Sequence, residues 1–372
     1  MSATLSIERQ ILDSTGKISG TDPKLSAEFH RELLFHMLRV RGVDERMLKL
    51  QRAGRIGFVG SMYGLEAAMI GSAAALEPQD WLWSGLREGG AALMRGLPLY
   101  EYIAQMYGNG SDTAKGRQMC NHHQHVESHY PSWSSVIGTQ IPHGVGAAYA
   151  SKLRGENAVH AVYFGDGATS SNGFHSGLNF AAVWKAPVVF MCVDNGWAIS
   201  VPSKNQTAGE YVARGDAYGM EAHEVDGNDV LATFEASRVL VERARTENKP
   251  ALLVIKTYRM SGHSSSDDPT VYRDQAEVDH WAKLDPLDRF ETYLTSIGQL
   301  KPDGLKELYT EVIAEIDAES NRQEAAPKMA LRSLVDDVYA NVPNHLQRQY
   351  NRFLEVSARH GDATPGDGAF PL

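Results

Sequence analysis

The chain carries two cysteines in 372 residues, Cys120 and Cys192. They form no CxxC pair and cannot build a disulfide framework, so a reducing compartment is expected. No apolar run reaches the roughly 20 residues that a membrane span needs. The opening residues, MSATLSIERQ, lack the basic start and apolar core of a signal peptide. A cytoplasmic location with no membrane partner is therefore expected. Positive charge is also scarce: 36 Lys and Arg stand against 46 Asp and Glu, a net charge of -10, which disfavours a nucleic-acid partner. Internal repeats and low-complexity tracts are absent. What remains is a globular composition, 42% hydrophobic, long enough to bury a large core.

Hydrophobic spacing divides the chain into three. Residues 1–30 are polar and mixed and read as an arm lying on something else. Residues 31–273 read as one α/β domain, and 274–372 as a mostly polar helical extension packing on that domain or on a partner. Leu33, Leu34, Met37, Leu38, Met47, Leu48 and Leu50 recur at helical spacing over 32–51. Two Ala/Gly-rich stretches, 64–76 and 139–153, read as closely packed helices, with Pro142 tolerable in a first turn. Then strands expected at 158–164, 188–193, 221–225 and 251–257 alternate with helices at 174–184 and 230–245. That alternation predicts a mostly parallel sheet with helices on both faces.

Two short motifs fall at strand ends in this scheme. Gly165-Asp166-Gly167 follows the strand at 158–164, and Asp194-Asn195-Gly196 follows the one at 188–193. Either alone is an ordinary turn signature. Together, 26 residues apart (168–193), they flank one helix and one strand. In a parallel sheet both then lie on the edge where open α/β folds bind ligands. The carboxylate of Asp166 and the amide oxygen of Asn195 suit a hard cation such as magnesium, which retains phosphate oxygens and water as further ligands. A phosphorylated cofactor is predicted.

This spacing resembles the thiamine diphosphate motif. More broadly, residues 46–273 resemble the alpha subunit of the thiamine diphosphate-dependent decarboxylase component of 2-oxo acid dehydrogenase complexes. The resembling stretches are GRIGFVGSMYGLEAAMIGSAAAL, LREGGAALMRG, KGRQM, SSVIGTQIPHGVGAAYA, the two motifs just described, and TYRMSGHSSSDDPTVYR. GRQM followed by Cys-Asn-His, and the doubled acid in SSSDDPTVYR, favour the branched-chain type over the pyruvate type. The resemblance implies oxidative decarboxylation of a 2-oxo acid with reductive acylation of a lipoyl group. It also implies thiamine diphosphate and Mg2+, a beta subunit that completes the active site in a heterotetramer of two alpha and two beta chains, and a lipoyl acyltransferase partner.

Carried over by position, the resemblance makes Asp166, Asn195 and the carbonyl of Trp197 the metal ligands. Gly165, Gly167 and Ala168 would face the diphosphate, with Arg87 pairing a phosphate. Ser135 and Ile137 would line the cofactor between diphosphate and rings. His263 would be catalytic and cofactor-binding, at the phosphate end and channel mouth, titrating near neutral pH from a loop (261–273) with little apolar surface to hold it. His122 would lie on the active-site side. Relatives hold potassium at positions matching Ser134, Val136, Thr139 and Gln140, and phosphorylate a loop matching Ser264 to Ser266, here expected to be ordinary loop. Two departures stand out: Leu86 where relatives carry Tyr, and Val193 where branched-chain relatives can carry Arg. The cluster Cys120, His122, His123, His125 and His129 fits no common zinc spacing. The alternatives are a pyruvate or acetoin enzyme of the same family, or a catalytically silent scaffold subunit.

Overall fold

Ser26 opens the first long helix, Ala27–Arg52, by accepting from the Phe29 N–H at 3.1 Å. Its apolar stripe, Leu33, Leu34, Met37, Leu38 and Met47, is buried. Residues 27–30, placed in the arm on sequence, are thus helical. The computed structural model describes residues 7–360, the side chain of residue 360 excepted.

Seven strands are present among the described residues: β1 (Trp81–Trp83), β2 (His160–Gly165), β3 (Val188–Asp194), β4 (Trp197–Ala198), β5 (Val201–Pro202), β6 (Glu221–Asp226) and β7 (Ala251–Lys256). Five form one sheet in the order β1-β2-β3-β7-β6, every pair parallel, while β4 and β5 make a small hairpin just past β3. Helix Asn172–Trp184 crosses from β2 to β3, and helix Val230–Glu247 from β6 to β7. The fold is α/β, as the alternation of strand and helix signals required. Strand β1, three residues long, gave no periodic signal and was not anticipated.

Side-chain alternation along the central strands feeds a core on each face. Tyr163, Met191, Val193, Leu253 and Ile255 join the core shared with the first helix and helix Val230–Glu247. Val162, Phe164, Phe190, Cys192, Leu252 and Val254 join the other, with helices Gln140–Leu153 and Asn172–Trp184.

The N-terminal arm lies on this chain's own domain. Asp229, fully buried, caps helix Val230–Glu247 through the N–H groups of Leu231 and Ala232. Its other oxygen accepts from Ile11 N at 2.7 Å and Leu12 N at 2.6 Å. Beyond residue 274, helices Pro286–Ser296 and Gly304–Glu324 pack against the first helix, where Gly42 leaves room for Ile316. Helix Asn344–His360 follows, and Phe353, Leu354 and Val356 on it are exposed. No helix among the described residues is long and apolar enough to cross a membrane.

Candidate active site

Four of the residues singled out in the sequence follow four neighbouring strands. Arg87 comes after β1, Asp166 immediately after β2, Asn195 immediately after β3, and His263 on the segment after β7. Because β1, β2, β3 and β7 are adjacent and parallel, all four reach the carboxyl edge of the sheet. Pairing continues past the strands: Thr257 N donates to the Asp194 carbonyl at 2.9 Å and Arg259 N to the Asn195 carbonyl at 3.1 Å. The segment bearing His263 is thereby laid beside the Asp-Asn-Gly turn.

At the Asp166 end the site is acidic. Asp166 and Asp194 are both buried, and the Ser203 hydroxyl lies 3.1 Å from one carboxylate and 2.8 Å from the other. One proton cannot satisfy two anions. Burial, followed by the nearby Asp194 charge, pushes the Asp166 carboxyl up to about 6. Asn195 Oδ1 accepts from Trp197 N at 3.2 Å, and the Trp197 carbonyl accepts from Arg259 Nη1 at 3.0 Å. Each of these oxygens has a lone pair to spare. The carboxylate, amide and carbonyl oxygens form a hard donor set, and the closely set acid pair favours a cation. Magnesium fits the residues present. Gly167 has a packing duty as well, since a Cβ there would sit 2.8 Å from that of Ala198. Gly196 turns the chain with φ of 86°, and a Cβ at Gly165 would meet nothing closer than the Val193 carbonyl oxygen at 4.0 Å.

At the Arg87 end the site is cationic. The guanidinium is buried, and among the described residues no carboxylate lies within ion-pair distance of it. It donates to the carbonyl of Ser61, to the carbonyl of His263 at 2.7 Å, and to His263 Nδ1 at 3.1 Å. Burial, then the charge of Arg259, lowers Arg87 to about 9. Such a group fits a diphosphate, which would restore the lost solvation. Arg259 itself is almost fully buried and clamps the carbonyls of Trp197 and Ile199, joining the two ends. Leu86 fills the space over Gly60, and Val193 lies in the apolar core.

His263 differs from the expectation. Burial, then Arg87 and Arg259, lowers its imidazole to about 4, so it is neutral rather than titrating near neutral pH. Its loop is also well held, by polar rather than apolar contacts. Ser265 N donates to the Val59 carbonyl, Val59 N to Ser265 Oγ, and Arg273 to the carbonyls of Arg259, Met260 and Ser261.

The turn before helix Gln140–Leu153 brings in the remaining residues. Ser135 Oγ lies 2.7 Å from His122 Nε2, whose ring stacks on Trp133. Val136 and Ile137 are exposed. Gly138 lies against Ser171 and the Ala168 carbonyl, so this turn borders the Asp166 segment. Gln140 Nε2 donates to the Tyr163 carbonyl at 2.8 Å. The remaining histidines scatter: His123 stacks on Tyr102, His129 on Trp81, and His125 turns to Ser128. Among the described residues no group of three or more His, Cys, Asp or Glu side chains is placed to hold a metal.

Sequence reasoning missed Asp194, Ser203 and Arg259 as parts of the site. Asp194 and Arg259 were visible beside the motifs, whereas nothing local marks Ser203.

Residues 36–332 match the model of the family described as dehydrogenase E1 component. The chain belongs to the dehydrogenase E1 component family. Among relatives of this E1 chain, the human mitochondrial 2-oxoisovalerate dehydrogenase subunit alpha is 38% identical over 362 residues, covering 96% of this chain and 81% of the relative. The Arabidopsis thaliana mitochondrial subunit alpha 2 of the same name is 38% identical over 96% of this chain and 77% of its own length. The Caenorhabditis elegans mitochondrial subunit alpha is 39% identical over 88% of this chain and 77% of its own length. These relatives overturn the cytoplasmic expectation, since all three are mitochondrial subunits.

Proposed function

We propose that this E1 chain is the alpha subunit of a branched-chain 2-oxo acid dehydrogenase, acting with a beta subunit in an assembly of two copies of each. It would hold thiamine diphosphate through Mg2+ and hand an acyl group to the lipoyl group of an acyltransferase. The observation that carries this reading is the convergence of Arg87, Asp166, Asn195 and His263 on one sheet edge, cationic at one end and acidic at the other.

When bound, thiamine diphosphate supplies the electron sink without which a 2-oxo acid cannot lose carbon dioxide. The chain's own residues divide the remaining work. Asp166, Asn195 and the Trp197 carbonyl would hold Mg2+, and the backbone at Gly165, Gly167 and Ala168 would face the phosphates. Arg87 would pair with a phosphate. Ser135 and Ile137 would border the body of the cofactor, on a turn that His122 anchors. His263 accepts at Nδ1 from Arg87, so its Nε2 carries the proton and is a donor towards substrate or phosphate. A beta subunit would supply the acid that activates the cofactor's ring.

The test is turnover of 3-methyl-2-oxobutanoate, pyruvate and acetoin by the chain co-expressed with its beta partner. The highest kcat/KM is expected for 3-methyl-2-oxobutanoate. Preference for pyruvate or acetoin would overturn the substrate class, and no turnover of any of the three would overturn the enzyme.

A further inference from the structure

We infer that Asp44, on the first long helix, is a positioning residue for the anion cradle at Arg87 and acts through Ser61. The inference rests on the cofactor reading of Arg87 given above.

Asp44 is a buried acid in the middle of a helix. A carboxylate there is costly to ionise without partners. It has two. Oδ1 accepts from Met62 N at 2.7 Å and Oδ2 from Ser61 Oγ at 2.7 Å. Both donors belong to the short irregular segment that precedes helix Glu66–Ala74. The Ser61 hydroxyl also lies 2.9 Å from Ser261 Oγ, on the segment that carries His263, and Tyr63 N donates to it at 3.2 Å. The carbonyl of the same Ser61 accepts from Arg87 Nη1. One carboxylate therefore fixes the residue whose backbone oxygen orients the arginine and whose side chain touches the histidine loop.

Charge points the same way. Among the described residues Arg87 has no carboxylate in contact, and Asp44 is the strongest opposing charge acting on it, ahead of Glu88. Glu88 is occupied by the Ser84 hydroxyl and the Arg87 N–H. A carboxylate touching the guanidinium would compete with a phosphate for its donors. A carboxylate one residue removed compensates the charge and leaves the outer donors oriented for an anion. Burial pushes the Asp44 carboxyl up to about 6, a rise that the Ser61 and Met62 donors and the Arg87 charge limit. A residue that merely closed the turn at Ser61 would serve as well uncharged.

The test is calorimetric titration of the alpha–beta complex with thiamine diphosphate and, separately, with unphosphorylated thiamine, in the parent and in Asp44→Asn. Asparagine keeps the shape, removes the charge and turns one acceptor into a donor facing Ser61. Diphosphate affinity is expected to fall about tenfold or more, with thiamine affinity unchanged, because only the phosphates engage Arg87. Equal diphosphate affinity in variant and parent would overturn the inference, as would an equal loss for both ligands. Should Asp44→Asn not assemble, Ser61→Ala carries the test. It cuts the hydroxyl link and leaves the carbonyl, so about a threefold selective loss is expected, and no loss overturns the role of Asp44. A parent complex that binds no thiamine diphosphate would defeat the cofactor reading itself, and the parent titration tells the two failures apart.

Discussion

Arg87 Nη2 donates to the carbonyl of His263 at 2.7 Å, across 176 positions of sequence, and also lies 3.1 Å from Nδ1 of the same residue. An arginine can only donate, so Nδ1 is the lone-pair nitrogen and the ring is neutral. The contact sets both the tautomer and the place of the ring. Because half of it runs through the His263 backbone, the arginine stays anchored when the side chain is removed.

That separation makes His263→Ala informative. The variant should retain cofactor affinity within about threefold, since Arg87 retains its carbonyl partner. Reductive transfer to a lipoyl domain should fall roughly 10²-fold, the scale of a lost proton donor, while decarboxylation with an artificial electron acceptor falls far less. Measuring both reactions on one preparation checks it. Losses of equal size would return His263 to a structural role.

Asp166→Ala should abolish Mg2+-dependent binding of thiamine diphosphate and leave the fold intact. The residue gives up a hydroxyl contact to Ser203 and a bond from its own backbone N–H, and its removal relieves repulsion with Asp194. Asn195→Ala should act in the same direction and more mildly, because a neutral ligand contributes less than a charged one. Chelating Mg2+ in the parent should mimic Asp166→Ala. Unchanged cofactor affinity in Asp166→Ala, read by calorimetry, would remove the residue from the metal site.

His123 predicts an acid sensitivity. Its ring is buried against Tyr102, neither nitrogen has a partner among the described residues, and burial lowers it from 6.5 to about 3. Below pH 6.5 the unfolded chain takes up a proton that the folded chain refuses. Stability is therefore lost progressively as pH falls from 6.5 towards 3. His123→Phe retains a ring for Tyr102 and removes the titration. Its thermal midpoint should match the parent near neutral pH and exceed it increasingly towards pH 4, the full effect being at most about 5 kcal/mol. Parallel pH profiles would refute this.

Asp229 predicts a coupled loss. It caps a helix and holds the arm, through four N–H groups accepted by one buried carboxylate. Asp229→Ala should cost about 3 kcal/mol or more, beyond the roughly 1 kcal/mol of an ordinary cap, because the Ile11 and Leu12 donors are left buried and unpaired. Limited proteolysis should then cut near Ile11 before any other site. An arm as resistant as in the parent would show that Asp229 does not hold it.

Local pattern made the central sheet legible. Strands β2, β3 and β7 are short apolar runs bounded by turns, and the glycines around Asp166 and Asn195 mark their ends. Strand β1 escaped because three residues cannot display a period. The partners of the site escaped for a different reason. Asp194 shares a hydroxyl with Asp166 only because Ser203 folds back through the β4–β5 hairpin, and Asp44 meets Ser61 only because the first helix lies across the segment before the second. Such contacts are set by packing between distant segments and leave no spacing to read. The neutral state of His263 escaped for the same reason, since burial, and after it the charges of Arg87 and Arg259, sets it.

The parallel order of the sheet also governs when the site can exist. Arg87, Asp166, Asn195 and His263 are brought together by β1, β2, β3 and β7, which pair side by side although their sequence positions span most of the domain. Partial folding yields no partial site: a chain lacking β7 has the acid pair but neither Arg259 nor His263. Loop closure over such distances is slow, and it precedes any ligand contact. Cofactor therefore acts only on the finished sheet and stabilises it by mass action, in proportion to the logarithm of its concentration over Kd. In a cell short of thiamine the abundance of this subunit would fall together with its activity, because the same molecule that does the chemistry would also hold the chain out of reach of proteases.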